Sequence, residues 1–212
     1  FQDRIDFART ARIGYDYTGS RLNKFNDNVH LEKIATSEMD IYKFTPNNSQ
    51  EDTFGIYFHG GGYYNGSITA YKNIVSQFTY ELQIPMYYFE YSLTPEFLFP
   101  AAHEDAKKAV EIISKLETSK QTIWMGDSAG GGLATGILVD KTFDISPDKL
   151  ILMSPWLDLS DENKDRKYLK NKDILLAIDG VKNLGEYYAG EYGVTNPIPV
   201  SYTHLTLPTT RL

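Results

Sequence analysis

The chain contains no cysteine, so it can form neither a disulfide framework nor a thiolate metal site, which fits a reducing compartment. It has no apolar run near the ~18 residues of a membrane span and no basic-then-apolar leader; a cytoplasmic protein without a membrane partner is expected. It also lacks a basic excess. With 21 Lys and Arg against 28 Asp and Glu the net charge is -7, which cannot neutralise phosphates, so nucleic acid is not an expected partner and an uncharged small molecule is. The glycine runs Gly60 to Gly66 and Gly130 to Gly132 fit neither Gly-x-Gly-x-x-Gly nor a phosphate loop ending in lysine. Nucleotide binding therefore has no support, and no cofactor is expected. His103 precedes Glu104 without the second histidine of His-Glu-x-x-His, so zinc is not expected and His103 reads as a surface residue.

What is present is a core-forming composition. Of 212 residues, 42% are hydrophobic and 14% aromatic, ample for one packed domain. Residues 1–38 hint at helix. Met39 to Phe44 alternates with period two and reads as a half-exposed strand, and Thr53 to Phe58 as a more apolar one. Thr69 to Gln83 spaces Ile74, Phe78 and Leu82 along one helical face, and Pro85 to Tyr91 is the next strand. Ala101 to Glu117 is predicted helical with a stripe of Ala102, Ala106, Ala109, Val110 and Ile113. Gln121 to Met125 is a strand and Ala129 to Lys141 a helix. Leu150 to Met153 is continuously apolar, as for a strand covered on both faces; after a charged loop, Asp173 to Ala189 is again helical. Strand and helix alternate throughout. That pattern predicts an α/β fold whose mostly parallel sheet carries helices on both sides.

Two motifs sit behind strand-like runs. Gly126-Asp127-Ser128-Ala129-Gly130 fits the Gly-x-Ser-x-Gly nucleophile elbow, a strained strand-to-helix turn that exposes a serine hydroxyl and needs small flanks. His59-Gly60-Gly61-Gly62 ends the strand before it, where bare backbone N–H groups can approach an oxyanion. Ser128 is thus the candidate nucleophile, with Gly60, Gly61 and the N–H of Ala129 as candidate oxyanion donors, against the alternatives of a small turn residue and a strand-ending turn. His59 reads as a residue that orients its loop rather than as a general base. Tyr63, Tyr64 and Trp156 either line an acyl pocket or belong to the core.

Further segments stand in a telling order: Tyr91-Ser92-Leu93-Thr94-Pro95-Glu96, Phe99-Pro100-Ala101-Ala102, Glu104-Asp105-Ala106, and Ser154-Pro155-Trp156-Leu157-Asp158-Leu159-Ser160. With the two glycine motifs they resemble the hormone-sensitive-lipase-like carboxylesterases of the α/β-hydrolase fold, over roughly Met39 to Pro199. Glu90 and Ser92 depart from that family, which more often shows Asp and Arg there. The resemblance implies a three-layer domain over 1–200, with 1–38 and about 161–190 contributing to a helical cap. It implies a fold incomplete at the C-terminus, with the catalytic aspartate and histidine beyond this chain. It makes Asp158 a loop or cap ligand rather than the catalytic acid. Ser201 to Leu212, with His204, has no counterpart in the family and reads as a non-native tail. The implied function is hydrolysis of small short-acyl esters through a Ser128 acyl-enzyme. The alternative is a catalytically silent ligand-binding protein on the same fold, and homo-oligomerisation is left open.

Overall fold

The computed structural model describes residues 2–50, 52–118, 120–160 and 178–194. In chain order these form α1 (Gln2–Leu22), β1 (Val29–Ile34), β2 (Ile41–Pro46), β3 (Thr53–Phe58), α2 (Ile68–Leu82), β4 (Met86–Phe89), α3 (Ala101–Leu116), β5 (Gln121–Asp127), α4 (Ser128–Val139), β6 (Lys149–Met153) and α5 (Ile178–Ala189). The strands make one sheet in the order β1-β2-β4-β3-β5-β6. The β3, β4, β5 and β6 pairings are parallel, and β1 and β2 add two antiparallel pairings at one edge. The sheet is therefore mixed but mostly parallel, as the alternation of strand and helix predicts.

Two apolar clusters lie on its opposite faces. On one face α3 and α4 pack Ala102, Ala106, Val110, Ile113, Leu133 and Ile137 against Phe54, Ile56, Phe58 and Trp124. On the other, α2 packs Ala70, Tyr71 and Val75 against Tyr57, Met86, Tyr88 and Met125, with α1 outside it. The α3 stripe is as the spacing predicts. On α2 the trio Ile74, Phe78 and Leu82 is only partly buried, and Ala70, Tyr71, Val75 and Thr79 are the residues turned inward. Helix α1 comes so close to α2 here that Gly19 must lack a side chain, since a Cβ on it would lie 2.8 Å from the Ala70 Cβ.

Two further features differ from the sequence reading. The N-terminal region contains a strand, β1, paired with β2 from Val29↔Pro46 to Ile34↔Ile41. And β6 is not covered on both faces: it is the last strand of the sheet among the described residues, and Ile151 is 38% exposed. The expected helix from Asp173 begins, within the described residues, at Ile178; residues 161–177 and the expected tail at 201–212 lie outside them. No helix among the described residues is long and apolar enough to cross a membrane.

Candidate active site

Register brings the two glycine motifs together. β3 and β5 pair in parallel with Phe58 opposite Gly126, so His59-Gly60 and Asp127-Ser128 leave the sheet side by side. Chain geometry then makes the turn. Ser128 has φ 49°, a left-handed conformation unfavourable for a residue with a Cβ, and α4 begins at once. A Cβ on Gly126 would lie 2.8 Å from Gly130, and one on Gly130 2.0 Å from the Phe58 carbonyl oxygen and 2.4 Å from that of His59. The elbow glycines are required by closeness. Ser128 itself stays half-exposed, and its carbonyl accepts from Trp156 N–H at 2.8 Å.

Asp127, the unspecified position of the motif, is the hub that the sequence does not reveal. Its Oδ1 accepts from Gly60 N–H (2.9 Å) and Tyr57 Oη (3.0 Å), and its Oδ2 from Tyr71 Oη (3.1 Å). Burial pushes its carboxyl pKa up despite these three donors. Burial beside that carboxylate also raises both phenols, so Tyr57 and Tyr71 act as donors at ordinary pH. A cavity of about 300 Å³ opens beside Asp127, between α1 and α2.

One contact bears on the expected oxyanion donors. Gly60, expected among the oxyanion donors, has its N–H turned onto the protein's own carboxylate. The run then rises through left-handed backbone at Gly61 (φ 106°), Gly62 (φ 66°) and Tyr63 (φ 59°), closed by Tyr64 and Asn65 N–H groups donating to Gly61 O. Among the described residues, the N–H groups of Gly61 and Gly62 have no hydrogen-bond partner. The N–H of Ala129 belongs to the first turn of α4, which has no helical acceptor.

His59 is wholly buried and its Nδ1–H donates to Gly60 O at 2.7 Å. Its ring stacks on Tyr91 at 4.0 Å, and burial holds its pKa down to about 4. Such an imidazole is neutral at pH 7 and fixes the loop, as the sequence reading has it. His103 is not a surface residue. It is 3% exposed and its Nε2 lies 3.0 Å from Asp140 Oδ2, because its position on α3 faces the end of α4, where Asp140 needs a donor. Asp158 Oδ1 accepts from Ser160 N–H (2.8 Å) and Oγ (2.6 Å), the behaviour of a loop ligand.

Of the three aromatics, Tyr63 is core, stacked on Tyr188 of α5 at 3.8 Å with rings 1° from parallel. Tyr64 and Trp156 are half-buried. α5 lies across the glycine run, with Leu184 Cδ1 3.5 Å from where a Gly62 Cβ would stand. The two departures are also accounted for. Glu90 Oε1 accepts from Ile68 N–H at the start of α2 (2.7 Å), and Ser92 N–H donates to Asp105 Oδ2 (2.8 Å).

Comparison with known proteins agrees with this architecture. A family model described as alpha/beta hydrolase fold matches residues 55–210. An esterase of Acinetobacter venetianus is 28% identical over 132 residues, covering 60% of this chain and 43% of its own length. An acetyl-hydrolase of Streptomyces hygroscopicus is 29% identical over 146 residues, covering 68% and 49%. The crystal structure of a hormone-sensitive lipase from a metagenome library superposes with a TM-score of 0.83 at 26% identity, over 92% of this chain and 66% of that one. The chain thus spans about half the length of the two sequence relatives. With the motifs, the elbow and the sheet order in agreement, the chain belongs to the alpha/beta hydrolase fold family, in its hormone-sensitive-lipase-like branch.

Proposed function

We propose that this chain is the nucleophile-bearing part of a serine carboxylesterase acting on small, short-acyl esters. The observation that carries the reading is Ser128 held at φ 49° between β5 and α4, beside the carboxylate that anchors the glycine run. Ser128 Oγ attacks the ester carbonyl. The alcohol leaves and an acyl-enzyme forms, which water then hydrolyses to acid and free serine. The tetrahedral oxyanion is held by N–H groups of Gly61 and Ala129, joined by Gly62, while Gly60 and Asp127 fix the loop. The general-base histidine and its aspartate lie outside the described residues. Support for an ester substrate comes from the relatives named as esterase and acetyl-hydrolase, and for a short acyl preference from α5 lying across the run, with Leu184 Cδ1 3.5 Å from where a Gly62 Cβ would stand, and from the aromatic residues that follow it.

The test uses the full-length product of the gene. A fluorophosphonate probe should label Ser128, Ser128→Ala should abolish both labelling and p-nitrophenyl acetate hydrolysis, and acetate or butyrate esters should be preferred to decanoate. Absence of labelling on a folded protein would instead favour the silent ligand-binding reading. Activity rising steadily with chain length would overturn the short-acyl assignment.

A further inference from the structure

The loop that carries the glycine run is held from outside by two side chains of α1, four residues apart and so on one face of that helix. Arg12 Nε donates to Tyr64 O at 2.8 Å, its Nη2 to Thr94 O at 2.8 Å and Glu96 Oε2 at 2.7 Å, and its Nη1 to Glu96 Oε1 at 2.8 Å. Asp16 Oδ1 accepts from Ser67 Oγ at 2.7 Å, where Ser67 is the N-cap of α2. Thr94 N–H in turn donates to Tyr63 O at 2.8 Å. One guanidinium therefore joins three elements: α1, the loop after β3 and the loop after β4. Its contact with Glu96 is bidentate, a geometry no other side chain reproduces.

What the clamp holds is a strained turn. Gly61, Gly62, Tyr63 and Gly66 all have positive φ, and Gly60 N–H on Asp127 fixes only its near end. The far end, Tyr64 to Ser67, has Arg12 and Asp16 as its outer fastenings. Displacing Tyr64 O would carry Gly61 and Gly62 with it, through the Tyr64 and Asn65 N–H bonds to Gly61 O.

We propose that Arg12 is a positioning residue for the oxyanion loop, through which the seating of α1 on the domain sets the placement of the Gly61 and Gly62 N–H groups. The inference rests on the esterase reading above, and its effect falls on the transition state, since a loop displaced by ~1 Å can lose on the order of a hundredfold in rate with substrate binding kept.

The experiment compares Arg12→Met and Arg12→Lys with wild type in the full-length gene product. Arg12→Met should lower kcat for p-nitrophenyl acetate by about tenfold to a hundredfold with KM within about twofold. Arg12→Lys, which keeps the charge but loses the fork, should fall between. Amide exchange should rise across residues 60–67 while β5 stays protected. If Arg12→Met does not fold, Arg12→Lys carries the test. Unchanged kcat, or exchange that rises equally in β5 and the loop, would overturn the proposal by showing a role in general stability only. Failure of the esterase reading is distinguishable: Ser128→Ala would then retain hydrolysis, and loop-specific exchange would still decide what Arg12 does.

Discussion

The two glycine runs look alike in the sequence and do opposite work in the fold. Gly61 and Gly62 have φ of 106° and 66°, so at the first run glycine supplies backbone conformations other residues avoid. Gly130, Gly131 and Gly132 lie inside helix α4, where the backbone is ordinary. There the missing side chain matters because Phe58 O, Pro155 Cβ and Trp156 O stand within 3 Å of where each Cβ would be. Three glycines cost a helix roughly 1 kcal/mol each in propensity. α4 bears that because Ala129 to Ile137 are all buried, enclosed by β3, β5, α3 and the segment after β6. The first run depends on dihedral angles as well as on contacts, which leave Gly62 alone with room for a Cβ; the second, with ordinary dihedrals, depends on contact alone.

The largest expected effect breaks the second run. Gly130→Ala puts a methyl group 2.0 Å from the Phe58 carbonyl oxygen, and because backbone stands on both sides no rotamer change can relieve it. Overpacking usually costs about 1 to 3 kcal/mol; with backbone as the obstacle more than about 3 kcal/mol is expected. The urea midpoint and soluble yield should both collapse. A variant with near wild-type stability would show that α4 is less tightly held than its contacts imply.

That contrast also marks how far the sequence can be read. The α3 stripe was legible because Ala102, Ala106, Ala109, Val110 and Ile113 keep helical spacing and face one sheet surface. The elbow was legible because its glycines answer a fixed steric demand. α1 was faint, because its inward face runs through Arg12 and Gly19, a clamp and a close approach, which interrupt the apolar period. β1 is hard to read because only Val29 is fully buried, while Leu31 and Ile34 are partly buried and separated by the exposed Glu32 and Lys33. The role of Asp127 could not be read, since it depends on Tyr57, Tyr71 and Gly60, which register and a helix crossing bring to it. The direction of the Gly60 N–H is hidden for the same reason: spacing finds the loop, but not where each N–H points.

A second test sharpens the comparison through pH. The first run leads into α2, whose opening N–H, that of Ile68, is held by Glu90 Oε1 at 2.7 Å. Burial, with Asp16 and Asp40 nearby, raises the Glu90 pKa to about 7. Because the folded value exceeds the unfolded one, near 4.5, Glu90 contributes its full stability below pH 4.5 and loses it as pH rises toward 7. About 2 to 3 kcal/mol should disappear over that window. Glu90→Gln keeps an acceptor for Ile68 N–H and should flatten the loss, leaving the variant the more stable of the two at pH 8. The second run touches carbonyls, a proline ring and a phenol, so exchange within α4 should follow pH far less than exchange at 60–68. Parallel pH profiles in wild type and Glu90→Gln would remove Glu90 from the account.

The smallest effect is expected where the first run is most open. A Cβ on Gly62 would meet only Leu184 Cδ1, at 3.5 Å, an ordinary contact. What remains is conformational, since alanine at φ 66° occupies the left-handed region at about 1 to 2 kcal/mol. Gly62→Ala should therefore fold and lower Tm by only a few degrees, about 2 to 4 °C per kcal/mol for a chain of this size. Asparagine tolerates left-handed backbone better than alanine does, so Gly62→Asn should cost less than Gly62→Ala despite its greater bulk. Gly61 gives the internal control: its φ is also positive, but its Cβ would lie 2.1 Å from Asn65 O, and Gly61→Ala should be far worse than Gly62→Ala. A ranking by side-chain size at position 62, with alanine better than asparagine, would mean that space and not dihedral angle governs the first run as well, and the distinction between the two runs would fall.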